Sequence, residues 1–202
     1  MFKKVVLQVS LFAVLSVVLS SFSGCASLPS SDTTRSDSNG TDKTSTGSAP
    51  GTSGFPPLAE KAAQAEMRHL DGSTSRVADR KGRVVLLNLW ATWCKPCLAE
   101  VPALVKLQEK YRDRGFEIIG LNTDDGDTKE MIDDFAARLN VNYPLVWAST
   151  EMQSTLIRVS KFEGIPQSFL VDRDGRLRGV FRGANPAEIK KMENTVARIV
   201  SE

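Results

Sequence analysis

The sequence predicts an α/β domain in which helices flank a mixed central β-sheet, opened by an N-terminal β-hairpin. Three observations carry this expectation. Nearly continuous apolar runs at 83–90 and 116–121 suit strands buried on both faces. Apolar residues recur at helical spacing between and after them. Two short strands around a tight turn, then one more helix, close the chain, so the order is βαβ, helices, ββα.

Met67 to Leu70, Asp71-Gly72 and Thr74 to Val77 read as a short hairpin. Arg83 to Trp90 reads as a buried strand through Val84, Val85, Leu86, Leu87 and Leu89. A helix is expected from about Cys94 to Arg112, with Leu98, Val101, Leu104, Val105 and Tyr111 on its apolar face and a bend at Pro102. Phe116 to Leu121 is a second buried strand. Asp127 or Thr128 can cap the next helix, whose apolar face is Met131, Ile132, Phe135 and Leu139. A third helix is expected over about 151–162. Ser168 to Val171, the turn Asp174-Gly175 and Leu177 to Phe181 form a hairpin. The last helix has Asn185 as cap and Pro186 at its first position, and buries Ile189, Met192, Val196 and Ile199.

The chain has 202 residues, room for one domain with appendages. Lys3 and Lys4, followed by a mostly apolar stretch from Val5 to Leu19, read as an export signal that is too short to span a membrane. It ends Phe22-Ser23-Gly24-Cys25, which resembles a bacterial lipobox. That resemblance implies removal of residues 1–24 and lipidation of Cys25, with Phe22 standing where Leu is commonest. Ordinary signal cleavage would instead leave Cys25 as a spare thiol. Residues 25–57 then form a tether. Among 26–57, 14 residues are Ser or Thr, four are Gly and four are Pro, too little apolar surface to offset ordering entropy. As a flexible coil the tether spans about 30 Å. The domain proper is expected over 58–202. Without Lys3 and Lys4 the chain carries 24 basic and 24 acidic residues, so no electrostatic footprint for nucleic acid is present.

Cys94 and Cys97 stand as C-x-x-C between a buried strand and a helix, the context of a thioredoxin-like redox motif. Cys94 would lie at the helix start, where unpaired N–H groups and the macrodipole favour a thiolate. Lys95 adds a nearby positive charge. Cys97, one turn in, would be the more buried, resolving thiol. A zinc half-site would need two more ligands, and His69 alone remains once Cys25 is committed elsewhere. A ring this small is a poor structural staple. Asp124-Asp125-Gly126-Asp127 fails the EF-hand pattern, since Leu121 and Ile132 would fall at ligand positions, and reads as a turn and helix cap. His69 reads as a strand surface residue. Trp90 and Trp147 read as core and Trp93 as part of a substrate-facing rim.

The segment Asn88-Leu89-Trp90-Ala91-Thr92-Trp93-Cys94-Lys95-Pro96-Cys97 resembles the active-site segment of the TlpA/ResA-like thiol–disulfide oxidoreductases. Gly164-Ile165-Pro166 and Phe169 to Gly175 match that family's second landmark and the strand and turn after it. The resemblance covers about 66–202, and 122–163 fits an insert before the second landmark. It implies a thioredoxin-like fold and a membrane-tethered oxidoreductase that faces away from the cytoplasm, in the periplasm or cell exterior. It implies that Pro166 is a cis-proline beside Cys94 and that the Ile165 backbone pairs with extended substrate. Thioredoxins carry a buried Asp where this chain has Asn88, which cannot move protons. The resemblance implies that Glu100 takes that role. The alternative is a solvated carboxylate in the first turns of the helix. The implied substrates are exported proteins with cysteine pairs, such as apocytochrome c or copper-site assembly factors. A membrane electron donor of the thiol-transfer type would re-reduce the pair, and no cofactor or metal is required. The rivals are a Sco-like copper delivery module, which uses C-x-x-x-C with a downstream histidine, and a disulfide-forming oxidase on the same fold.

Overall fold

The computed structural model describes residues 54–202. Cys25, the signal segment 1–24 and nearly all of the tether lie outside the described residues. The elements are α1 (Glu60–Gln64), β1 (Met67–His69), β2 (Thr74–Ser75), β3 (Val84–Trp90), α2 (Lys95–Tyr111), β4 (Phe116–Asn122), α3 (Lys129–Leu139), β5 (Leu145–Ala148), α4 (Thr150–Ser160), β6 (Gln167–Val171), β7 (Leu177–Arg182) and α5 (Pro186–Ser201).

The sheet has seven strands in the order β2-β1-β5-β4-β3-β6-β7. β4 lies parallel to both β3 and β5, while β6 runs antiparallel to β3, and the sheet is therefore mixed. β3 is buried at every position because it sits in the middle of the sheet with helices on both faces. Its side chains alternate strictly, as the strand period requires. Val84, Leu86 and Trp90 join the core that contains α2 and α5 residues such as Leu104 and Val196. Val85, Leu87 and Leu89 join the opposite core, with Ala62 of α1 and Leu156 of α4. Asn88 shares the parity of Leu86 and Trp90, so it is delivered to the α2 side of the sheet.

Several expectations are corrected. β5 lies inside the stretch read as an insert carrying only helices. It is four residues long, follows a proline, and becomes recognisable through its pairing with β4 and β1. The five-residue α1 was not anticipated either. The opening hairpin is shorter than expected, and Val77–Arg80 forms a 3-10 turn instead of a strand end. Met131 is exposed, whereas Ile132 and Phe135 face the core. The helical step carries residue 131 onto the flank of α3, and a four-residue apolar pattern cannot reveal that. Ile189 and Leu139 are half-buried. α2 runs as one helix through Pro102. Ordered contacts begin slightly before the expected boundary at residue 58: Leu177 N donates to Pro56 O and Leu58 N to Gly175 O, each at 2.9 Å.

Candidate active site

Three segments build the site: the turn between β3 and α2, the loop between β4 and α3, and the segment leading into β6. Cys94 is the N-cap of α2, in extended conformation, and its Sγ accepts the Cys97 amide at 3.2 Å. Pro96 falls in the first turn, where a missing N–H costs nothing. Cys94 and Cys97 are joined in a disulfide. Cys97 was expected to be the more buried thiol, and in the disulfide-bonded form the difference is slight. Cys94 is 2% exposed and Cys97 1%, since both sulfurs close against the α2-side core.

Glu100 is 3% exposed, which removes the solvated alternative. Asn88 Nδ2 donates to Glu100 Oε1 at 2.6 Å and lies 3.0 Å from Ser168 Oγ. The parity of β3 and the i, i+3 step from Cys97 bring these two polar groups together under the dithiol turn. Burial pushes the Glu100 carboxyl from 4.5 up to about 7, against the pull of the Asn88 hydrogen bond. Tyr143 is buried close by and is itself held above its ordinary value, by burial first and by the Glu100 charge second.

Ile165-Pro166 is a cis peptide, and Pro166 is buried while Ile165 is half-buried. The Pro166 carbonyl accepts Gly183 N at 2.8 Å. Gln167 Nε2 reaches the Gly164 and Phe162 carbonyls at 2.8 and 3.1 Å and ties this segment to β6. Trp93 is 64% exposed, as a rim residue would be. Trp90 is buried against Phe135, with ring centroids 4.2 Å apart.

Sequence reasoning missed the supports of the site. Thr128, not Asp127, caps α3 by accepting the Met131 amide. Asp127 is buried and turned toward the dithiol turn: Oδ2 accepts Thr92 N at 2.8 Å and Asn122 Nδ2 at 2.6 Å, and Oδ1 accepts Thr92 Oγ1. Asp124 accepts the Trp93 indole N–H. The spacing of four acidic or small residues suggested a turn, but a partner 35 residues away leaves no local signal. The supporting role of Gln167 is likewise a tertiary one. His69 sits on β1 and pairs with Ser75 Oγ at 2.7 Å. Among the described residues, no group of three or more His, Cys, Asp or Glu side chains could hold a metal ion. No helix among them is long and apolar enough to cross a membrane.

Comparison with known proteins gives a consistent neighbourhood. The Redoxin family model matches residues 52–197. The thiol-disulfide oxidoreductase ResA of Geobacillus thermodenitrificans is 32% identical over 119 residues, which is 59% of this chain and 66% of that protein. ResA of Bacillus cereus is 34% identical over 108 residues, 54% of this chain and 60% of that protein. The chain therefore matches just under two thirds of the length of these curated relatives. A solved thiol:disulfide interchange protein of the thioredoxin family from Chlorobium tepidum superposes with a TM-score of 0.59 at 24% identity, covering 74% of this chain and 99% of that one. A secreted Mycobacterium tuberculosis disulfide oxidoreductase superposes with a TM-score of 0.56 at 20% identity, covering 69% and 99%. These likenesses establish the thioredoxin-like fold.

Proposed function

This chain belongs to the Redoxin family, and from that premise we propose that it is an extracytoplasmic thiol–disulfide oxidoreductase that reduces disulfides in exported proteins. The observation that carries the reading is the Cys94–Cys97 disulfide at the start of α2, one helical turn from a buried carboxyl whose proton affinity is centred near neutrality.

In the reduced protein the Cys94 thiolate, favoured by the N-terminus of α2, attacks one sulfur of a substrate disulfide. A mixed disulfide forms and one substrate thiolate leaves. Cys97 gives its proton to Glu100 and attacks Cys94 Sγ. The Cys94–Cys97 bond forms, the second substrate thiolate leaves, and the protein has delivered two electrons. A dithiol donor at the membrane then restores the thiols. Trp93 and the Ile165 backbone beside cis-Pro166 supply the docking edge for an extended substrate segment. Cys25 carries the lipid, and the segment 25–57 gives the domain reach from the membrane. Apocytochrome c and copper-site assembly factors are the substrate classes that fit.

Two measurements test this reading. In the reduced protein Cys94 should alkylate faster than Cys97 at neutral pH, and equal or reversed rates would show that the attacking thiol is misassigned. Equilibration against dithiol buffers should place the potential nearer about −270 mV than about −120 mV. A value more oxidising than about −180 mV belongs with isomerases and oxidases and would overturn the reductase assignment.

A further inference from the structure

We propose that Asp127 is a positioning residue for the Cys94 thiol, acting by gripping Thr92 across the mouth of the sheet. The proposal rests on the exchange chemistry above and adds to it a residue outside the dithiol motif. Thr92 lies two residues before Cys94, in the turn that ends β3 and starts α2. Within that turn the backbone offers one internal bond, from Cys94 N to Ala91 O at 3.2 Å. Asp127 adds two bonds from outside, on the Thr92 amide and the Thr92 hydroxyl. Its carboxylate is in turn held by Asn122 Nδ2, and Asn122 is the last residue of β4, the strand beside β3. The loop backbone is pinned separately: Trp147 Nε1 donates to Asp127 O at 3.2 Å, and Asp124 N donates to Asn122 Oδ1 at 2.9 Å. A rigid strand end therefore holds a carboxylate that holds the residue aiming Cys94.

The grip matters differently in the two redox states. In the oxidised protein the Cys94–Cys97 bond itself ties the turn to α2. In the reduced protein that bond is gone, and among the described residues the turn is then held from outside by the buried Asp127–Thr92 contacts and by the exposed bond from the Trp93 indole to Asp124. Loss of the grip should free the reduced turn and leave the oxidised one tethered by its disulfide. The reduced state would gain conformational freedom, the thiol would meet its target less often in attacking geometry, and the potential would move toward less reducing values.

Substitution separates grip from charge. Asp127→Asn can keep every contact: its oxygen accepts the Thr92 amide and Asn122, and its amide donates to Thr92 Oγ1 as the hydroxyl turns round. Asp127→Ala removes all of them. Thr92→Val removes the hydroxyl bond, leaves the amide bond and keeps the shape, so it reports on the grip even where Asp127→Ala lowers folding yield. The experiment measures iodoacetamide alkylation of Cys94 and attack on oxidised glutathione by each reduced protein, with the potential in glutathione buffers and the melting temperature of both redox forms. Asp127→Ala should slow Cys94 by about tenfold or more, with Thr92→Val in between and Asp127→Asn within about twofold of wild type. Asp127→Ala should also raise the potential. Wild-type rates and an unchanged potential in Asp127→Ala, with equal loss of melting temperature in both redox forms, would overturn the proposal and leave a structural carboxylate. Equal slowing in Asp127→Asn and Asp127→Ala would overturn it in favour of charge. The alkylation comparison stands even if wild type fails to reduce disulfides, so failure of the oxidoreductase reading is recognised separately, in the wild-type protein.

Discussion

At the scale of single residues, the site turns on a carboxyl that the fold keeps near its protonation midpoint. Glu100 moves from 4.5 to about 7 because it is buried. Between those two values the folded protein holds a proton that the unfolded chain has released. Stability from this group is therefore complete below 4.5 and is lost as pH rises through about 7. The shift corresponds to roughly 3 kcal/mol at alkaline pH. Glu100→Gln keeps an acceptor for Asn88 and never ionises. In urea titrations the oxidised variant should equal wild type near pH 4 and exceed it near pH 8 by up to about 3 kcal/mol. A constant difference across that range would contradict the assigned burial cost. Under the proposed mechanism, in which Glu100 takes the Cys97 proton, the variant should also lose any inflection near neutrality in its exchange rate.

At the scale of elements, close packing at the carboxyl end of the parallel strands sets what each strand can carry. Gly120 in β4 lies on the α2 face, where a Cβ would stand 2.5 Å from Leu145 Cδ2 and 3.1 Å from Trp90 Nε1. Trp90 is the last residue of β3, and Leu145 is the first of β5. One missing side chain thus lets both neighbouring strands close over β4 directly beneath the dithiol turn. Gly120→Ala should lower stability by about 1–3 kcal/mol through overpacking, read from chemical denaturation of the oxidised protein. Wild-type stability would mean that Leu145 can swing aside freely. The same variant should disturb the turn through Trp90, so its Cys94 alkylation rate is expected to fall along with its stability.

At the scale of the whole molecule, the domain has two poles. Cys94 follows the C-terminal end of β3. The first described residues run at the other end, where Pro57 bridges Arg176 beyond the β6–β7 turn and Arg176 Nη1 donates to Phe55 O at 2.8 Å. The antiparallel pairing of β6 with β3 puts those ends apart, since Val171 lies opposite Val85 and Gln167 opposite Leu89. At about 3.3 Å per residue, β3 separates the poles by roughly 20 Å. The described chain thus enters the domain at the pole opposite the dithiol turn. Under the proposed anchoring, Cys25→Ser should turn a membrane-bound protein into a soluble or unprocessed one. Mass spectrometry of the mature wild type should find Cys25 modified, and a free thiol there would refute lipidation.

The thioredoxin-like α/β class, the strand–C-x-x-C–helix junction and the cis-proline were legible in the linear chain. Each depends on local period, on cap chemistry or on a family motif, and such signals lie within a few residues of one another. β5, the exposure of Met131, the deep burial of both cysteines and the grip of Asp127 on Thr92 were decided by tertiary structure. A four-residue strand is defined by its neighbours, and a helix flank by the surface it meets. A carboxylate acquires its task from a backbone amide 35 residues earlier in the chain. Sequence patterns record what a segment does for itself, and these features are what segments do for one another once the sheet has brought them together.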